Sequence, residues 1–225
     1  MKLDVLVIAA HPDDAEICVG GSILLWTDAG KAVGVLDVTR GEMGTRGTQA
    51  DRDRETLAAS ERMRLATREN LGLPDGRVEV SLAARELADA RHTDDLHPDH
   101  AAAGRLAREA WYLSGLARLA ERDGGAPARR PRRLFHFMGH VPFEPTLVID
   151  IGAVWERKCE LVRCYASQLA PANAGDRGQH FLFGADILAR METRARFFGE
   201  RIGARYGEPL VALGPLAVSD PSSLV

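Results

Sequence analysis

Cysteine is scarce in this chain of 225 residues, and the little there is gives no framework: Cys18, Cys159 and Cys164 form no C-x-x-C pair and are odd in number, so neither a disulfide network nor a cysteine-built metal site is indicated. They read as reduced, buried thiols. Long hydrophobic runs are missing too. The longest near the start, Leu3 to Ala10, contains Asp4, is too short to cross a bilayer and is not followed by a signal-peptide cleavage region, so no membrane partner and a cytoplasmic location are expected. Lysine is nearly absent, and almost all the positive charge is arginine. With a net charge of -3 there is no general attraction to nucleic acid, although local anion sites are compatible with the arginines. Repeats and low-complexity segments are lacking. The remainder, 45% hydrophobic and 27% charged, is the balance of one globular domain spanning residues 1–225.

Leu3 to Ala10 ends in His-Pro-Asp-Asp, the way a buried parallel strand delivers a polar loop at its carboxyl end. A helix is expected over Ala15 to Ala29, with Asp14 placed to cap it and Gly30 to stop it. Ala32 to Val38 then reads as a second buried strand, completing a β-α-β unit. Thr39 to Thr48, carrying Gly41, Gly44 and Gly47, reads as a loop over the site, and Asp51 to Leu71 as one long helix ended by Gly72 and Pro74. A short strand around Arg77 to Val80 and a helix around Leu82 to Arg91 come next. No apolar strand precedes His97-Pro98-Asp99-His100, although a parallel sheet calls for one there. Pro98 and Asp99 open a helix expected to run to about Leu119, followed by a surface connection over Arg118 to Arg133. Strands are expected at Leu134 to Met138 and Thr146 to Ile151, and helices at Val154 to Tyr165 and Ala185 to Ile202, before a Pro/Gly/Ser tail.

Two clusters carry chemistry: His11-Pro12-Asp13-Asp14-Ala15-Glu16 after the first strand, and His97-Pro98-Asp99-His100 opening a helix. A catalytic zinc takes about three ligands of this type and keeps one position for water. His11 and Asp14 from one loop with His100 from the other supply that set. Asp13, one residue from a ligand, presents its carboxylate differently and is the candidate general base. His97, roughly one helical turn before His100, is placed to stabilise an oxyanion and protonate a leaving amine, with Asp99 orienting it.

On these residues the chain resembles the LmbE-like (PIG-L) zinc deacetylases, whose A-H-P-D-D-E-type and H-P-D-H signatures look like Ala10 to Glu16 and His97 to His100. The resemblance implies a Rossmann-like fold, a zinc cofactor at the carboxyl ends of the strands, and a homo-oligomer, often a hexamer. Within the family the chain looks most like the bacillithiol-pathway branch, which converts N-acetylglucosaminyl malate to glucosaminyl malate. Gly47-Thr48 with Arg52 resembles that branch's substrate-contacting arginine segment, and Pro131 to Leu134 is similar to a stretch whose arginine, Arg133 here, points into the active site. Cys164 to Gln168 also looks like a branch segment. The chain departs from the family in lacking a strand before His97 and in placing Asp95 where some relatives have tyrosine.

Plainer readings accompany each assignment. Asp14 alone is more often a helix cap, the second motif is also an ordinary Pro-led helix start, and Arg52 and Arg133 sit in segments where arginine usually faces water. His92, His136 and His180 have no strong case; His140 is a candidate to line the pocket. Trp26, Trp111 and Trp155 read as packing residues. Rival functions are an amidase of thiol conjugates, a deacetylase of another N-acetyl sugar, and a non-catalytic nucleotide- or metal-binding module. The nucleotide reading is disfavoured because His-Pro-Asp-Asp puts negative charge where phosphate needs glycine amides.

Overall fold

The computed structural model describes residues 2–78, 95–122, 127–169 and 186–220. β1 (Val5–Ala9) is the expected apolar strand, and β2 (Val33–Thr39) runs parallel to it with Val5 opposite Val33 and Ala9 opposite Asp37. β3 (Thr67–Leu73) is parallel on the far side of β2, giving the order β1-β2-β3. The crossovers are α1 (Asp14–Asp28) and α2 (Gln49–Met63). α3 (Pro98–Leu113) and α4 (Ala117–Arg122) follow, then β4 (Phe135–Phe137) and β5 (Leu147–Asp150). α5 (Trp155–Arg163), α6 (Ala166–Leu169), α7 (Ile187–Glu200) and β6 (Gly207–Ala212) complete the described chain. The class is α/β with a helix-flanked parallel sheet, as expected, and a second, antiparallel sheet of order β4-β6-β5 accompanies it. One core joins the two: Val7 and Val35 from the first sheet, Ile23 and Leu24 from α1, Leu161 and Tyr165 around α5, and Leu210 from β6 are all buried in it.

Several expected boundaries are corrected. The long helix of Asp51 to Leu71 stops at Met63, where Arg64 adopts φ 54°, and Thr67–Leu73 is a strand. Its sequence is polar because Arg68 is an internal strut: its guanidinium holds Asp37 of β2 through Nε at 2.8 Å and NH2 at 3.0 Å, and reaches Glu16 of α1 through NH1 at 2.6 Å. Tyr165 donates to the same Glu16 oxygen at 2.9 Å. Asp14 is the first helical residue of α1 and not its cap, and Asp13 at the cap position makes no side-chain capping bond. The helix from Pro98 breaks at Ser114 before α4, which lies partly inside the expected surface connection. Arg77 and Val78 are not in a strand, and the rest of that expected strand, the Leu82 to Arg91 helix and the junction up to residue 94 lie outside the described residues.

β6 was not expected, since Gly-Glu-Pro reads as turn chemistry. Glu208 explains its place. α1 is kinked at Val19 (φ -136°, ψ 16°), which frees amides in mid-helix, and buried Glu208 accepts from Gly21 N at 2.8 Å and Ser22 N at 2.7 Å. Lys158 of α5 neutralises it at 2.6 Å. Gly21 must lack a side chain, because a Cβ there would lie 2.8 Å from Ile151 and 2.9 Å from Glu208. Breaking one partner of a buried, hydrogen-bonded ion pair costs about 3–5 kcal/mol. Glu208→Ala should therefore lose a stability of that order in chemical denaturation, and a loss below about 1 kcal/mol would show the pair to be energetically idle.

Candidate active site

In open α/β sheets, ligands bind at the carboxyl ends of the strands. Here residues 10–13 after β1, 40–48 after β2 and 74–78 after β3 meet the start of α3 there, around a cavity of about 490 Å³, the size of a small-molecule site. The first loop is strained. Asp13 has φ 120°, and a non-glycine residue in that region costs about 1–3 kcal/mol. The turn is held because Asp14 Oδ2 accepts His11 N at 2.9 Å and Arg52 NH1 clamps Pro12 O at 2.5 Å. Its effect is to send adjacent carboxylates apart. Asp13 pairs with Arg52 NH1 at 3.0 Å, whereas Asp14 faces the histidines.

His11, Asp14 and His100 converge. Asp14 Oδ2 lies 3.2 Å from His11 Nδ1 and 3.3 Å from His100 Nε2, and the three donors fall within 4.8 Å of one another. Ligands about 2.0–2.1 Å from a tetrahedral ion stand about 3.3–3.4 Å apart, so this donor set fits a zinc-type coordination edge. The electrostatics agree. Burial pushes both imidazoles down, but the carboxylates outweigh it: Asp14 and Asp75 raise His11 to about 11, and Asp14 and Asp95 raise His100 to about 10. Asp14 is pushed up by burial and held well below the ordinary carboxylate range by those two rings. An environment that so favours positive charge suits a divalent cation. Burial raises Asp13 to about 7 against the pull of Arg52.

His97 is the N-cap of α3, and its Nδ1 accepts the Asp99 amide at 3.2 Å. The neutral ring therefore carries its proton on Nε2, the tautomer that donates. Burial, with His11 and His100 nearby, lowers its pKa, which favours that neutral form. Asp99 does not orient His97 through its carboxylate. That group accepts the amides of Gly76 at 2.6 Å and Val78 at 3.1 Å and approaches His11 Nε2 at 3.4 Å, tying α3 to the loop after β3.

Of the two arginines, Arg52 is buried in the site, but Arg133 is exposed, its NH1 on the Arg132 carbonyl, and it does not line the cavity. The basic run around Arg133 is solvated, the usual fate of such charge. The roles of Asp75 and Asp95 escaped sequence reasoning, while His140 lines the cavity as the candidate the sequence offered. Asp75 accepts from His11 Nε2 at 3.0 Å and from Met43 N at 2.8 Å, and Asp95 and His140 form a pair at 2.6 Å beside His100. Asp75 follows β3, so its signal was hidden by reading β3 as helix; His140 had only its residue type to offer. Cys18 also lines the cavity, but burial pushes its thiol up to about 12, which removes it as a nucleophile.

The glycine loop is braced from behind. Arg46 NH1 donates to Gln168 O at 3.0 Å, Gln168 Nε2 returns a bond to Arg46 O at 2.9 Å, and Glu55 accepts from Ser167 N and Oγ, both at 2.7 Å. The Cys164 to Gln168 segment thus acts on the site through loop 40–48.

The sequence profile of the family described as PIG-L, GlcNAc-PI de-N-acetylase, matches residues 6–111. Diacetylchitobiose deacetylase of Thermococcus kodakarensis is 28% identical over 229 residues, spanning 91% of this chain and 80% of the relative. Among solved structures, the conserved protein TT1542 of Thermus thermophilus matches with a TM-score of 0.77 at 32% identity, covering 96% of this chain and 97% of that one. N,N'-diacetylchitobiose deacetylase from Pyrococcus horikoshii, complexed with its inhibitor MPG, matches with a TM-score of 0.75 at 26% identity, covering 93% and 83%.

Proposed function

Because the chain belongs to the GlcNAc-PI de-N-acetylase (PIG-L) family, we propose that its strand-end cluster hydrolyses the acetamide of an N-acetylglucosaminyl compound, with His11, Asp14 and His100 as zinc ligands and Asp13 as general base. One observation carries this reading: Asp14 at the start of α1 and His100 in α3, 86 residues apart in the chain, meet His11 so that two imidazoles and a carboxylate lie within 4.8 Å of one another, with Asp13 turned to Arg52 beside them. When bound, the ion supplies Lewis acidity and lowers the pKa of water from about 15.7 toward about 7. Asp13 accepts the proton of the attacking water. His97 Nε2–H donates to the oxygen that gains charge as the carbonyl is attacked. A neutral imidazole holding its proton in this way is not the acid for the leaving amine, so Asp13 returns its proton there, and acetate and amine leave with atoms balanced.

For the substrate's second half we propose malate, in a bacillithiol-type pathway. The support is that Arg46, Arg190 and Arg194 are among the residues lining the cavity, so an anionic aglycone would meet positive charge there. A second reading, diacetylchitobiose, is favoured by the two relatives of that activity. An amine-release assay joined to metal analysis separates them: zinc-dependent turnover of N-acetylglucosaminyl malate at least about tenfold faster, in kcat/KM, than of diacetylchitobiose is expected, since one paired charge is worth about 1.5–3 kcal/mol. Faster turnover of the neutral sugar would transfer the assignment to it, and turnover of neither would remove both.

A further inference from the structure

Asp95 stands two residues before the second motif, and its carboxylate is wedged among histidines. Oδ1 lies 2.9 Å from the His97 amide, 2.6 Å from His140 Nδ1 and 3.5 Å from His100 Nδ1, while Oδ2 accepts the His140 amide at 2.8 Å. The rings of His100 and His140 stack at 4.7 Å with an interplanar angle of 11°. Gly139 admits this arrangement, because a Cβ there would overlap the Asp95 carboxylate.

Asp95, His100 and His140 offer donors close enough together to raise the question of a second cation site. The distances decide against it. Two ligands of one ion at about 2.0–2.1 Å cannot approach nearer than about 2.9 Å without leaving regular geometry, and the Asp95–His140 separation of 2.6 Å is that of a charge-assisted hydrogen bond. Both Asp95 oxygens are already engaged by N–H donors. A ring that donates from Nδ1 presents, when neutral, an unprotonated Nε2.

We propose that Asp95 is a positioning residue that sets the tautomer and ring plane of two histidines at once. His100 is thereby held with its Nε2 lone pair toward Asp14 and the ion, a role that rests on the ligand set proposed above. His140, whose ring lines the cavity, is held with Nε2 as an acceptor for an O–H or N–H of the sugar substrate. Asp95 thus occupies a place that no spacing rule assigns, linking metal binding to substrate binding through one carboxylate.

The test uses the full chain. In Asp95→Ala, zinc affinity by chelator competition should fall about 10–100-fold, the range for loss of an outer-shell partner. Imidazole ¹⁵N spectra of the metal-free protein, recorded above the His100 pKa of about 10 so that the ring is neutral, should show both rings losing the Nδ1–H tautomer, and Asp95→Asn should restore part of each effect. Gly139→Ala, which keeps the carboxylate and displaces it, should act in the same direction. His140→Phe should leave zinc affinity unchanged and raise KM. Wild-type zinc affinity and unchanged tautomers in Asp95→Ala would overturn the proposal. If only His100→Ala loses zinc, the ligand set stands and the positioning role fails; if His100→Ala keeps it, the ligand set itself is wrong.

Discussion

His100→Ala should strip the protein of its zinc and reduce deacetylation by more than about 10³-fold, since Lewis-acid catalysis is worth several kcal/mol. The proposed site has three protein ligands, and each supplies a different element: His11 from the loop after β1, Asp14 from the start of α1, His100 from α3. Removing His100 leaves two ligands three residues apart in sequence and a cavity where the imidazole stood. The ring is stacked on His140 and faces Asp14 and Asp95. The metal-free variant, lacking the cationic partner of Asp14 and Asp95, should melt below the metal-free parent, and adding zinc should widen the difference. Dialysis followed by metal analysis decides the matter: stoichiometric zinc on the variant would show that the ion, if held, is held by other groups.

The fold was legible where one periodicity and one purpose coincide. β2 is apolar because both its faces are buried, β1 buries Val7 and Ala9 on one face while Leu6 stays exposed on the other, and the loop of Ala10 to Asp13 follows from the strand before it. It was illegible where a tertiary partner overrides local pattern. Thr-Arg-Glu-Asn in β3 continues the polar, Arg- and Glu-rich run of α2 and lacks an apolar strand pattern, and its ladder with β2 and the Asp37 and Glu16 partners of Arg68 place it as a strand. β6 hid for the same reason, since its Glu208 is buried only because Lys158 and the kinked α1 wait for it.

The site divides along the same line. His11, Asp14 and His100 announce themselves by spacing, and the structure brings them together. Asp13 and Asp14 diverge, as adjacency suggested, but through a strained φ that the sequence does not show. Asp75, Asp95 and His140 are single residues with no motif, gathered by loops that meet only in three dimensions. Asp99 belongs to a motif and still faces another way than expected, because the backbone amides of Gly76 and Val78 outcompete the His97 ring for its oxygens.

Asp13→Asn should keep zinc and lose turnover by about 10²–10⁴-fold, the contribution of a positioned base. The substitution is nearly isosteric, leaves every proposed ligand intact and keeps an oxygen for Arg52 to grip, so substrate affinity should change little while kcat falls. The pH dependence gives a second reading of the same group. Burial raises Asp13 to about 7 in the metal-free protein, and a base works only when ionised, so activity should fall as pH drops through its acid limb. A bound cation favours the ionised form and moves that limb below 7. In the Asn variant the limb should vanish from the residual rate. Stability moves the other way. A carboxyl whose folded pKa lies above its unfolded value stabilises the fold below the unfolded pKa, and that contribution is lost as pH rises through the folded one, here between about 4 and about 7. The metal-free Asn variant, which never ionises, should escape that loss and equal or exceed the parent in stability at pH 8, trading function for stability as strained sites do. A variant that kept near-normal turnover with its acid limb in place would assign the base to another group.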